Sequence, residues 1–472
     1  MGGFFGAVSK TDCSTDIFFG TDYHSHLGTV RGGLAVKQGD TFKREIHDIT
    51  NAQFRSKFDH DISRLSGKWG IGVISDFEDQ PLIIGSHLGN YAIVTVGRIN
   101  NSEELVGEIF KETNTHFSEM DGSQINPTEI VATIINRGNS FKEGLDLVQE
   151  RIDGSCSILL LTEDGIYVAR DGKGRTPIVI GRKESGYAAT FETAALPNLG
   201  YDIDTWVGPG EIILMTEEGL EQKRPPNREM QICTFLWMYY GYPASSYENI
   251  NVEEVRNRSG ERLASHDDVR SDLVAGIPDS GTGHAIGYAV ASQLPYRRPF
   301  VKYTPTWPRS FMPQDQQVRN LVASMKLIPI ESLIRDKKLL FCEDSIVRGT
   351  QLKGIISRLF GFGAREIHMR VACPPLVYGC KFLNFSRSRS ILDLAARKAI
   401  GHLEGENPTN LRKYTDPNTK EYSQMLDYIR EQIGVSSLKY QKLDDVVEAV
   451  GLPQEKLCTY CWTGCEGPRT SA

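Results

Sequence analysis

The stretch Lys338-Leu339-Leu340-Phe341-Cys342-Glu343-Asp344-Ser345-Ile346-Val347-Arg348-Gly349-Thr350 opens as an apolar run, ends in two acids, passes through a short loop and continues into an amphipathic segment. That order predicts a buried strand bringing Glu343 and Asp344 to its C-terminal edge, followed by a loop whose backbone N–H groups face an anion at a helix N-terminus. Gly349 suits a tight turn that lets the backbone approach a phosphate, and Thr350 adds a hydroxyl donor. One step upstream, the acids are placed to accept hydrogen bonds from sugar hydroxyls or to approach a cation, so the implied ligand is a phosphorylated ribose. The plain alternative is a strand-turn-helix with acids on a solvated edge. The acid pair, the loop length and the Gly-Thr ending agree together on the first reading.

Working outward, the chain from about residue 270 alternates predicted strands and helices: strand 272–277, helix 283–293, strand 299–302, the 338 strand, helix 351–362 and strand 366–371. Such alternation argues a parallel sheet with helices on both faces, whose ligands bind at the C-terminal strand ends. Helix 422–433 follows, while 386–390 and 407–420 read as exposed loops. Residues 1 to about 230 differ in texture. Short apolar runs such as 155–162, 165–170 and 177–181 read as strands, and helical pattern is confined to patches at 102–112 and 128–137. The proline-bearing polar segment 222–228 reads as a linker. With 472 residues the chain exceeds one ordinary core, so two domains are expected, 1–230 and 231–472.

A net charge of −7 gives no overall basic surface, which argues against nucleic acid as a partner. No run approaches the roughly eighteen apolar residues of a membrane span. The start Met1-Gly2-Gly3-Phe4-Phe5-Gly6 lacks the basic opening of a signal peptide, so a cytoplasmic protein is expected. In that setting nine cysteines read as thiols, metal ligands or redox sites before disulfides.

The acid-loop run resembles the signature of type I phosphoribosyltransferases, whose substrate is 5-phosphoribosyl 1-pyrophosphate (PRPP). Gly276-Ile277-Pro278-Asp279-Ser280, Cys458-Thr459-Tyr460-Cys461, Gly172-Lys173-Gly174-Arg175-Thr176-Pro177 and Glu192-Thr193-Ala194 extend the resemblance over the whole chain, to the glutamine PRPP amidotransferase (amidophosphoribosyltransferase) family. The resemblance implies an α+β Ntn-hydrolase-like four-layer αββα domain, of the class II glutamine amidotransferase kind, followed by an α/β type I phosphoribosyltransferase domain. It also implies a role in purine biosynthesis with purine nucleotides as regulators; a homo-oligomer is expected because symmetric assembly is the norm among soluble enzymes. By the same resemblance, Glu343, Asp344, Ser345, Ile346, Val347, Arg348, Gly349 and Thr350 bind PRPP, and Ser280, Glu343 and Asp344 hold its Mg²⁺, a cation that prefers oxygen ligands. Lys302 would neutralise the leaving pyrophosphate; a solvated surface lysine is its plain alternative. Arg309 resembles a residue of the loop that closes over PRPP. That loop departs from the family at Pro305 and Pro308, where flexible or basic residues are usual.

Many members of the family carry a [4Fe–4S] cluster, and the matching cysteines are Cys233, Cys380, Cys458 and Cys461. Zinc is the alternative for the same thiolates, and free thiols a third. Cys13, Cys156, Cys342 and Cys373 read as core residues, and Cys465 as an extra thiol.

The first half departs from the family where chemistry is concerned. An N-terminal nucleophile needs a reactive side chain beside the free amine, and Gly2 stands where the family has Cys. The arginine that clamps the substrate carboxylate aligns with Ser75. The oxyanion stretch reads Thr95-Val96-Gly97-Arg98, and the acid that holds the glutamine amine aligns with Pro127. Glutaminase activity is therefore expected to be absent, with free ammonia or another small amine as the donor. A second reading is a non-catalytic PRPP- or nucleotide-sensing, or regulatory, paralogue.

Overall fold

In the computed structural model, residues 2–112, 116–121, 124–302, 327–383, 390–405 and 408–467 are described. The first half builds two antiparallel sheets. One has seven strands in the order Asp202–Trp206, Val179–Lys183, Gly186–Thr190, Gly3–Ser9, Trp69–Ser75, Arg31–Gln38 and Thr41–Asp48. The other has six, in the order Leu220–Arg224, Ile212–Met215, Ile166–Ala169, Gly154–Leu161, Gly89–Ile99 and Leu82–Ser86.

Alternation along the strands explains how these sheets stack, because successive side chains point to opposite faces. Phe4 and Val8, Ile71 and Val73, Val94 and Val96, and Leu159 and Leu161 all enter one core between the sheets. Their odd-register neighbours face outward. Phe5, Ala7 and Ile74 pack with Ile17 and Phe18 of the helix Ser14–Asp22. Ile93, Ile158 and Leu160 pack with Ile130, Ile134 and Leu145 of the helices Pro127–Ile135 and Phe141–Arg151. The result is four layers, helix, sheet, sheet, helix.

The second half carries a parallel four-stranded sheet, ordered Leu273–Gly276, Lys338–Glu343, Glu366–Val371 and Ser437–Tyr440. Lys338–Glu343 pairs in parallel on both sides, so its Leu339, Leu340, Phe341 and Cys342 are all buried, the unbroken apolar pattern of a central strand. The helix Thr350–Gly361 follows it and buries Leu352, Ile356 and Leu359 on one face. Across the loop between them, Gly349 takes φ +72°.

Two sequence expectations change. Residues 299–302 do form a strand, Phe300–Lys302, but it pairs antiparallel with Leu327–Pro329, outside the parallel sheet. The linker expected at 222–228 begins as the edge strand Leu220–Arg224, whose charged side chains suit an edge open to water. Most of 386–390 lies outside the described residues, as do Pro305, Pro308 and Arg309.

Candidate functional site

The strand Lys338–Glu343 ends with its acids at the C-terminal edge of the parallel sheet. Asp344 is 2% exposed; it accepts hydrogen bonds from the hydroxyls of Ser280 and, at 2.5 Å, Ser345. Ser280 arrives from the next strand, Leu273–Gly276, through a turn with a cis Pro278–Asp279 bond, and stands just before the helix Gly281–Ser292, its hydroxyl turned to Asp344 rather than to the helix. Glu343 is partly exposed, yet its Oε2 is buried without a hydrogen-bond partner. Burial pushes its carboxyl well above the usual carboxylate range, and the Asp344 charge adds to this. Burial also raises Asp344, against the pull of the two serine hydroxyls and the Arg256 charge. Two desolvated carboxylates beside a serine, with one orphaned oxygen, form an all-oxygen donor set that fits a hard divalent cation.

Past the acids, the main-chain N–H groups of Ile346, Val347, Arg348 and Gly349 meet no main-chain acceptor among the described residues. The carbonyl of Val347 instead accepts from Ala395 N at 2.7 Å, which ties the loop to the helix Ala395–Glu404. Lys302, at the end of its hairpin strand, pairs with Asp279 beside Ser280. Sequence reasoning placed Lys302 correctly at a strand end but missed Asp279 and Arg256. The only available signal for Asp279 was its place in the Pro-Asp-Ser turn.

The four cysteines singled out by the sequence converge from three segments. Ile232–Cys233 and Leu457–Cys458 form a two-stranded parallel ladder in which Cys233 faces Cys458. Cys461 lies in the short helix Tyr460–Thr463, and its carbonyl accepts from Tyr378 N at 3.1 Å, which draws in the segment bearing Cys380. Burial raises all four thiols, and the charges of Cys380 and Cys458 raise Cys233 and Cys461 further. A metal bound there would have to displace those protons. Cys13, Cys156, Cys342 and Cys373 are buried in the core.

The positions aligned with glutaminase chemistry have taken other work. A Cβ at Gly2 would land on the Ile74 carbonyl oxygen. Ser75 accepts from Phe77 N at 3.2 Å. Gly97 has φ +155°, and a Cβ there would strike the Ser155 carbonyl. Arg98 Nη1 donates to the Cys380 carbonyl at 2.7 Å, and Asn100 Nδ2 to that of Lys381 at 2.8 Å. Pro127 opens the helix Pro127–Ile135, where its missing N–H costs nothing, with Asn126 as the cap.

This architecture defines a class: an Ntn-type glutamine amidotransferase fold joined to a type I phosphoribosyltransferase fold. Residues 64–198 match the profile of the glutamine amidotransferase domain. The amidophosphoribosyltransferase of Methanocaldococcus jannaschii is 28% identical over 492 residues, spanning 98% of this chain and 97% of that protein. The one from Bacillus subtilis is 26% identical over 478 residues, spanning 98% and 93%. The solved structure of the B. subtilis glutamine PRPP amidotransferase complexed with ADP and GMP superposes with a TM-score of 0.84 at 25% identity, covering 99% of this chain and 97% of that one. The chain belongs to the amidophosphoribosyltransferase family. No described helix is long and apolar enough to cross a membrane.

Proposed function

We propose that this chain binds Mg·PRPP and transfers the nitrogen of free ammonia, or of another small amine, to ribose C1 with release of pyrophosphate, in purine biosynthesis. Residues 231–472 act as the phosphoribosyltransferase and residues 1–230 as an amidotransferase scaffold without glutaminase chemistry. The observation that carries the reading is the buried Asp344, held by Ser280 and Ser345 beside the orphaned Oε2 of Glu343. Ser280, Glu343 and Asp344 would hold Mg²⁺, which supplies positive charge against the pyrophosphate when bound. The loop from Ser345 to Thr350 takes the 5-phosphate, and Lys302 with Arg309 meets charge building on the leaving group. The C1–N bond forms as the C1–O bond to pyrophosphate breaks, and the amine then loses a proton.

The glutamine step fails at Gly2, which has no side chain and no room for one against Ile74. Purine nucleotides are assigned as regulators by analogy with the relative solved with ADP and GMP. Cys233, Cys380, Cys458 and Cys461 are assigned to a [4Fe–4S] cluster, in preference to zinc, on the family resemblance of their four positions.

The test is pyrophosphate release from Mg·PRPP with glutamine or with ammonium. Release with ammonium and not glutamine is expected. Release with glutamine overturns the loss of glutaminase. No release with either amine, with PRPP still bound, replaces catalysis by a sensing or regulatory role.

A further inference from the structure

We infer that Arg175 is the counter-cation of the four-cysteine centre, a positioning residue that holds negative charge on the sulfurs from the amidotransferase side of the molecule. This inference rests on reading the cysteines as a metal centre.

Burying a guanidinium is costly unless it is hydrogen-bonded, and each of the other buried arginines among the described residues makes several bonds. Arg170 donates to the carbonyls of Thr176, Val207 and Gly174 and pairs with Glu248 at 2.8 Å. Arg370 is paired with Asp267. Arg256 donates to the carbonyls of Trp237, Tyr239 and Gly241. Arg175 is the exception. It is 4% exposed, its Nε is buried without a partner, and its guanidinium donates to Gln231 Oε1 at 3.2 Å. Its main-chain N–H donates to the buried Asp171 carboxylate at 3.1 Å, but among the described residues its guanidinium has no ion pair with a carboxylate.

What it does meet is the cysteine centre, on three sides. Its carbonyl accepts from Cys233 N at 3.1 Å. Its guanidinium lies beside the Cys458 thiol. One face of the guanidinium stacks 3.4 Å from the ring of Phe382, two residues beyond Cys380. A neutral set of thiols would leave this guanidinium without a direct ion pair in the interior. Four thiolates around a divalent zinc, or around an iron–sulfur core carrying two positive charges, leave a net negative centre, and Arg175 is a buried cation beside it.

The consequence is electrostatic and separable from packing. Removing a positive charge beside a redox centre makes an added electron less favourable, so the midpoint potential falls. Removing a cation that holds thiolates also loosens the metal, by roughly tenfold or more on the scale typical of groups surrounding a metal site. The experiment compares the full-length wild type with Arg175→Gln and Arg175→Lys, all purified anaerobically. It measures iron, sulfide and zinc per chain, the rate of bleaching by a chelator, and the midpoint potential.

Arg175→Gln is expected to lower the potential and to bleach about tenfold faster. Arg175→Lys, which keeps the charge and loses the planar stack, is expected to recover most of the potential. An unchanged potential and bleaching rate in Arg175→Gln overturns the inference, as does a lysine variant as impaired as the glutamine one. Wild type holding zinc and no iron would remove the cluster reading alone, and zinc retention in the same variants then decides the role of Arg175. Wild type holding neither metal overturns both.

Discussion

At Asp344, two hydroxyls from different segments converge on a carboxylate that is 2% exposed. Asparagine preserves the shape and removes the charge, so Asp344→Asn should weaken Mg·PRPP binding by at least roughly tenfold, the scale of losing one group at a metal site, and abolish PRPP-dependent product. Calorimetric titration with Mg·PRPP and a pyrophosphate assay check it; undiminished product formation would remove the assigned site. Gly2 makes the opposite kind of prediction. Because a Cβ there would fall on the Ile74 carbonyl oxygen, Gly2→Cys should restore no glutamate release from glutamine and should cost about 1–3 kcal/mol in a urea titration, as overpacking does. That position 2 carries no side chain was legible in the sequence because it is a matter of residue type. The closing of the space around it was not, since that depends on a neighbouring strand more than seventy positions away. Arg175 was equally hidden: its motif marks a turn, while its burial against Cys458 and Phe382 is visible only in three dimensions.

Among the elements, the acid strand, its loop and the helix after it were legible because burial on both faces gives an unbroken apolar run and a one-sided helix face gives its own period. Gly349 is the hinge of that unit. The nearest atom to a Cβ there is Ile433 Cγ1 at 3.6 Å, so Gly349→Ala should cost about 1–2 kcal/mol through its left-handed φ alone, seen as a lower urea midpoint with no loss of cooperativity. The strand Phe300–Lys302 was placed in the wrong sheet because a short apolar run carries no information about its partner. Helix Ser14–Asp22 and the turn after it hold a different device. His24 is fully buried, with Nδ1 on Gly20 O at 2.8 Å and Nε2 on Thr190 Oγ1 at 3.1 Å. Burial lowers its pKa to about 4, against the Glu192 charge and helped by His26. The folded state then binds fewer protons than the unfolded one, so its contribution is complete above about pH 6.5 and declines as the pH falls toward 4, by up to roughly 1.4 kcal/mol per pH unit. His24→Asn, which cannot take up that proton, should therefore close its stability gap to wild type between pH 7.5 and pH 5. A gap that stays constant would refute the assignment.

On the scale of the whole molecule, the two halves share one core. Phe4, Phe191 and Val207 belong to the same buried cluster as Ile232, Trp237, Tyr247, Val252 and the strand residues Leu339, Leu340 and Phe341. Polar ties cross between the halves as well. Tyr247 and Ser245 donate to the buried Glu192, Arg170 pairs with Glu248, and Arg98 holds the Cys380 carbonyl. This gives the first half a role independent of glutaminase chemistry: it covers apolar surface and supports the cysteine segments of its neighbour. Sequence texture showed that the chain has two architectures, but it could not show this dependence, because a buried interface and a private core have the same composition. A fragment of residues 231–472 would leave the apolar side chains that face the first half in water, at roughly 1.5–3 kcal/mol for each large one, against a domain stability of only about 5–15 kcal/mol. It should accordingly show no cooperative thermal transition, bind a hydrophobic dye and fail to retain metal at its cysteines. A fragment that melts cooperatively and binds Mg·PRPP would mean that the first half contributes little to the fold, and its persistence would then need an explanation in regulation or assembly rather than in packing.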